Sequence, residues 1–232
     1  MPKAIKKRVP KKIEDTEANV REKFSSIKDT LQKRQKTALI SGIVVLAVLI
    51  GIAGFIIYSS SSQKKAKGFE YEGDKIFYSH SQAPPANSEE QYTKSLDLFK
   101  KAYDTRKSPL SLYYIAACYY ELGKYDDALK TLKDFTQRYS GDERFLPLAY
   151  QKMAIVYIKK GDANEAKKTL DALYNLKGDL YKDLALIEYG RLLEKEGKLD
   201  EAKKKYQELT EKFPNSPFID EAKAKLVEKK EG

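Results

Sequence analysis

From Ala38 to Tyr58 the chain reads ALISGIVVLAVLIGIAGFIIY, and no charged residue falls between Lys36 and Lys64. At about 1.5 Å of rise per residue, a helix over this run is roughly 30 Å long, the thickness of a bilayer's hydrocarbon core. A cleaved leader has a shorter apolar run close to the chain's start, whereas here 37 residues rich in charge come first. A soluble core helix is apolar along one stripe, not on every face. Gly42, Gly51 and Gly54 are ordinary company in a membrane helix. The run is therefore expected to cross a membrane once. It divides the chain into an arm (1–37), a span (38–58), a polar linker (59–66) and a domain (67–232).

Charge is distributed unevenly about this run. Residues 1–37 hold twelve Lys/Arg against five Asp/Glu, so most of the net charge of +10 belongs to the arm and the domain is nearly neutral. The basic stretch at 1–12 reads as a disordered tail. Beyond it Ile13, Val20, Phe24, Ile27 and Leu31 fall on one face of a helix. With Lys33, Arg34 and Lys36 at the bilayer, this helix is expected to lie on the membrane surface or to continue into the span. A docking helix for another protein is the alternative. The excess of Lys/Arg places the N-terminus in the cytoplasm and the domain outside; nucleic acid is not expected as a partner. Cys118 is the only cysteine and His80 the only histidine, which excludes an intramolecular disulfide and a thiolate metal cluster. No enzymatic activity, cofactor or metal is expected.

Past the span the sequence repeats. Leu112, Ile115, Ala116, Tyr119, Gly123, Tyr125, Ala128, Leu132 and Phe135 recur as Tyr150, Met153, Ala154, Tyr157, Gly161, Ala163, Ala166, Leu170 and Leu173. They recur again as Leu186, Tyr189, Gly190, Leu193, Gly197, Leu199, Ala202, Tyr206 and Leu209, closed by Pro214. This is the tetratricopeptide pattern, in which each unit is a hairpin of helices A and B. Gly123, Gly161 and Gly197 sit where helix A ends in a sharp turn that favours a left-handed residue. Ala116, Ala154 and Gly190 keep helix A narrow where helix B crosses, and Ala128, Ala166 and Ala202 do the same from helix B. The expected fold is all-α: one transmembrane helix, then an α-solenoid of three full repeats (109–146, 147–182, 183–216) with partial units at 67–108 and 217–232. In the first partial unit, Lys67–Tyr78 reads as helix A, Ser95, Phe99 and Ala102 as helix B, and Ser88 with Gln91 as a capping box. Phe218, Ala222 and Leu226 form the stripe of a solvating cap. Cys118 and the tyrosines at repeat positions, Tyr119, Tyr157, Tyr189 and Tyr206, read as core packing.

Function in a solenoid of this kind lies on the face made by successive A helices. The outward positions there are Leu110, Tyr113, Ala117, Tyr120 and Glu121; Leu148, Gln151, Ile155, Ile158 and Lys159; and Leu184, Ile187, Arg191, Glu194 and Lys195. Tyr113 and Ala117 stand where a carboxylate clamp would need Lys and Asn. What remains is an apolar strip with a charged rim, suited to an amphipathic helix or an extended apolar segment.

A basic arm, one anchor and this array of repeats resemble the YfgM-type bacterial proteins, ancillary subunits of the Sec translocon. The resemblance implies a periplasmic domain of an inner-membrane protein, with translocon subunits, a periplasmic chaperone or an emerging polypeptide as partners. The stretch Phe213–Pro217 also looks like the repeat junctions of outer-membrane assembly and cell-division tetratricopeptide proteins. Two other functions are open to the same sequence: a self-associating homo-oligomeric envelope scaffold, and a cytoplasm-facing adaptor.

Overall fold

The structure is a computed structural model that describes residues 16–79 and 88–227. The basic tail at 1–12, the loop carrying His80, Pro84 and Pro85, and residues 228–232 lie outside the described residues. Among those described there are nine α-helices and no strand: α1 (Thr16–Phe77), α2 (Ser88–Thr105), α3 (Pro109–Glu121), α4 (Tyr125–Arg138), α5 (Phe145–Lys160), α6 (Ala163–Tyr174), α7 (Lys182–Lys195), α8 (Leu199–Lys212) and α9 (Ile219–Val227). The chain forms two compact units, Met1–Ser59 and Ser60–Gly232.

Within the first unit, the apolar side chains of α1 are exposed on every side of the helix, including Leu39, Val44, Leu49, Phe55 and Ile57. The helix is long and apolar enough to cross a membrane. Residues 59–66, read above as a polar linker, are helical and belong to α1. The run contains neither proline nor glycine, so nothing in it breaks an i→i+4 ladder.

The second unit is a row of helical hairpins. The end of α1 pairs with α2, α3 with α4, α5 with α6 and α7 with α8; α9 then packs on α7 and α8. Each full hairpin turns through the same motif. Gly123, Gly161 and Gly197 have φ of 69°, 81° and 74°. Each N–H bonds back three residues, to Tyr120, Ile158 and Glu194, and the next residue's N–H bonds back five, to Tyr119, Tyr157 and Leu193. These are Schellman turns, which satisfy the carbonyls left over at the end of helix A.

The small residues sit where the hairpins cross. Ala116, Ala154, Ala128, Ala166 and Ala202 are buried, and a Cβ added at Gly190 would meet the Tyr206 ring. The side chains of α3 to α6 form one continuous core that reaches α7, through Leu132, Phe135, Met153, Tyr157, Leu170 and Leu173. Tyr206, Leu209 and Ala222 join α7, α8 and α9, and Phe99, Ile115 and Cys118 join α2 to α3. Burial pushes the Cys118 thiol up to about 12, in keeping with a core side chain.

In the first hairpin the Gln91 reading needs correction. Its side chain does not turn back to the start of α2. Nε2 donates to the carbonyls of Ile76 (2.7 Å) and Phe77 (3.1 Å), so Gln91 caps the end of α1. Ser95 Oγ donates to Gly73 O at 2.8 Å, and a Cβ at Gly73 would touch Phe99 at 3.2 Å. Gly73 thus plays the part in this hairpin that Gly190 plays in the last complete one.

Candidate protein-binding face

Helices α3, α5 and α7 present the fifteen outward A-helix positions named above, and their environments differ. Leu110, Tyr120, Leu148, Gln151, Ile155, Ile158 and Leu184 are half-buried, and Glu121, Lys159 and Lys195 are exposed. Tyr113, Ala117 and Ile187 are buried, at 9%, 2% and 0% exposure, and present nothing to a ligand. The reason is the close approach of neighbouring hairpins: the Tyr113 ring packs on Phe145 of α5, centroids 5.7 Å apart, and Ile187 lies in the cluster that α9 completes. Burial raises the Tyr113 phenol above its ordinary range.

Arg191 and Glu194 are also engaged within the chain. The Arg191 guanidinium donates from Nε (2.8 Å) and Nη2 to the two carboxylate oxygens of Glu221 on α9, and from Nη1 to Glu188. Glu194 pairs with Lys225 of α9 at 3.1 Å. At this end the face therefore holds the chain's own last helix.

The open part lies between α3 and α5. The Tyr120 ring packs on Tyr125 at a tilt of 43°, centroids 5.8 Å apart, and the Lys152 ammonium sits 4.5 Å from the Tyr120 ring centroid. Lys152 was not among the expected positions. Burial lowers its pKa while the nearby Glu121 carboxylate opposes that shift. Leu148, Ile155 and Ile158 continue the apolar surface along α5, with Lys159 and Glu121 at its edge. The arrangement offers an apolar seat with one partly desolvated cation, which matches an apolar peptide segment bearing an acceptor.

An aromatic group at the first hairpin also escaped the sequence reading. Phe77 meets Tyr78, Tyr92 and Tyr114 edge-on at 5.1–5.4 Å, and the hydroxyls of Tyr78 and Tyr114 are 3.0 Å apart. Placing Gly73 in register with Gly190 would have put Phe77 and Tyr78 on the A face. The signal was present, but the long insertion before α2 hid the register. Elsewhere a cleft of about 350 Å³ lies between the two longer inter-hairpin loops, lined by Gly141, Asp142, Pro147, Asn175 and Lys177 among others. Its Asp142 carboxylate accepts from the N–H groups of Arg144 and Phe145 and so fixes the start of α5. No group of three or more metal-ligating side chains occurs among the described residues.

The family model of the tetratricopeptide repeat-like domain matches residues 33–230. The chain belongs to this family. The match starts before the apolar run, so it takes in that run together with the repeats. The heat shock protein sti1 homolog of Schizosaccharomyces pombe is 28% identical over 150 residues, covering 53% of this chain. The chain spans about a quarter of that relative's length, 25%. Among solved structures, the MamA protein superposes with a TM-score of 0.53 at 16% identity, covering 70% of this chain and 79% of that one. MamA from residue 41 to its end, of Desulfovibrio magneticus RS-1, gives 0.51 at 15% identity, covering 70% and 87%. At such identities the likeness bears on the fold alone.

Proposed function

We propose that this protein is a membrane-anchored module that holds a segment of another polypeptide on the open A face between α3 and α5. The observation that carries the reading is the half-buried apolar surface of Tyr120, Leu148, Ile155 and Ile158, in a chain that also carries the exposed apolar run of α1. A TPR-like domain and a protein-binding role go together, and the match to a sti1 homolog agrees with a chaperone or client polypeptide as partner. In this reading residues 38–58 span the cytoplasmic membrane, the arm 1–37 is cytoplasmic and the repeats face outward. The resemblance to YfgM-type proteins names translocon subunits, a periplasmic chaperone or an emerging chain as the first partners to seek. Anchoring fixes the face close to the membrane and raises its effective concentration toward membrane-borne partners.

The test is photo-cross-linking of the full-length protein in its native membrane, with a photoreactive residue at Tyr120 or Ile155. Adducts with a translocon subunit, a chaperone or a nascent polypeptide, lost in Tyr120→Glu, are the expected result. Adducts with the chain itself alone would replace the reading by the scaffold, and adducts with cytoplasmic proteins would reverse the orientation.

A further inference from the structure

Helix α1 carries a second surface, on the N-terminal side of the apolar run. Val20, Phe24, Ile27 and Leu31 are exposed at 48%, 71%, 56% and 62%. With about 100° of turn per residue they share one face, and Ala38 and Gly42 fall on the same face inside the run. Phe24, Ile27 and Leu31 line an apolar furrow that ends at Gln35. A second furrow begins at Gln35 and passes Ala38 and Gly42. The two make one continuous seat along the helix.

A lipid surface does not fit this seat. The helix is unbroken from Thr16 to Phe77, and neither glycine nor proline occurs between residues 16 and 41, so the arm does not fold back onto the bilayer. Phe24 is fourteen residues before Ala38, which sets it about 21 Å beyond the start of the run. Even at a tilt of about 40° it stands roughly 16 Å out, past a headgroup layer of about 5–8 Å. A second copy does not fit either. Two copies in one membrane are parallel, and heptad pairing on this face would set Lys23 of one against Lys28 of the other. Between residues 19 and 37 every charge that flanks the stripe is basic, Lys28 and Arg21 on one side and Lys23 and Arg34 on the other; the one acid at a position on this face is Glu17, a turn before Val20. Glu22 and Asp29, the only acids between residues 19 and 37, lie on the opposite face.

We propose that this face docks a membrane-spanning partner protein whose helix carries an apolar stripe flanked by Asp or Glu outside the bilayer. Within the bilayer the partner helix continues beside Ala38 and Gly42, where small residues permit close approach. The inference rests on the reading of α1 as a membrane span.

A photoreactive residue is placed at Phe24, and in a second variant at Gly42, of the full-length protein in its native membranes, and the cross-linked peptide is sequenced by mass spectrometry. The expected result is the same membrane-spanning protein from both positions, with Asp or Glu next to the apolar residues captured at Phe24. Lys23→Glu/Lys28→Glu is expected to lower the Phe24 yield about fivefold while the protein stays in the carbonate-washed membrane. Adducts at twice the chain's mass, adducts with lipid only, a captured segment without acids, or an unchanged yield in the charge variant would each overturn the proposal. Release of the unaltered protein by carbonate would overturn the span itself, a failure distinct from these.

Discussion

Gly190→Ala tests the packing rule that builds the repeats. A Cβ at this position would lie 2.3 Å from Cε1, 2.7 Å from Cζ and 2.9 Å from Cδ1 of Tyr206, against the roughly 3.5–4.0 Å of an ordinary carbon contact. The Tyr206 ring is fully buried, so it has no free space to swing into. In the two preceding repeats the equivalent positions hold Ala116 with Leu132 and Ala154 with Leu170, all four buried in one core: the larger Tyr206 on helix B goes with the smaller Gly190 on helix A. Helix propensity favours alanine over glycine by about 1 kcal/mol. Overpacking a closed site costs about 1–3 kcal/mol, and a contact more than 1 Å too short against an immobile ring belongs at the upper end. The net expectation is destabilisation by about 2 kcal/mol, a fall in Tm of about 4–8 °C for a domain of this size. The double variant Gly190→Ala/Tyr206→Leu restores the Ala–Leu pair of the other repeats, so the two changes should couple by about 2 kcal/mol in its favour. Thermal unfolding of the full-length protein in detergent, followed by near-ultraviolet circular dichroism of its tyrosines, reads all four members of the cycle. A Gly190→Ala variant as stable as the parent, or strict additivity in the cycle, would refute the reasoning.

Other changes probe separate parts of the structure. Gly161→Ala forces an L-residue to φ 81° and should cost about 1–2 kcal/mol, seen as a lower Tm with unchanged helix content in the folded state. Arg191→Ala should free α9, raising hydrogen exchange in Ile219–Val227 while leaving α3 to α6 protected; the pair is partly exposed, so the loss is about 1 kcal/mol or less. Arg191 holds the Glu221 carboxyl below the usual range. A depressed carboxylate contributes fully above its unfolded pKa of about 4.3 and loses that contribution as the pH falls through its folded value, so α9 protection should fall only in acid and the Arg191→Ala difference should vanish there. Cys118 is buried with its thiol raised to about 12; alkylation of the folded protein at pH 8 should run at least about a thousandfold slower than that of a free cysteine, and faster labelling would show that α2 opens from α3.

The long apolar run, the hairpin period and the left-handed turns were legible in the amino-acid order because each follows from short-range rules. A charge-free stretch of this length has few alternatives. Glycine tolerates the left-handed backbone that ends helix A at Gly123, Gly161 and Gly197 without the strain a side chain would add. The burial of Ser95, Phe99 and Ala102 likewise follows from their positions in the repeat. The identity of the open A-face residues was not legible in the same way. Periodicity tells which side of a helix faces its own hairpin, but not what the next hairpin covers, and that depends on residues some thirty positions away. Phe145 closes over Tyr113, Ala117 and Ile187 are buried, and α9 claims Arg191 and Glu194, so five of the expected contact residues serve the solenoid itself. Gln91 could cap its own helix or another's, and only the placement of α1 beside α2 gave it Ile76 and Phe77. Lys152 joined the face because packing set its ammonium over Tyr120 on the neighbouring A helix. The sequence by itself determined the helices, their turns and their small crossing residues, which depend on a side chain and its immediate neighbours. The tertiary structure decided which surfaces stay open, because that depends on how one hairpin shields the next.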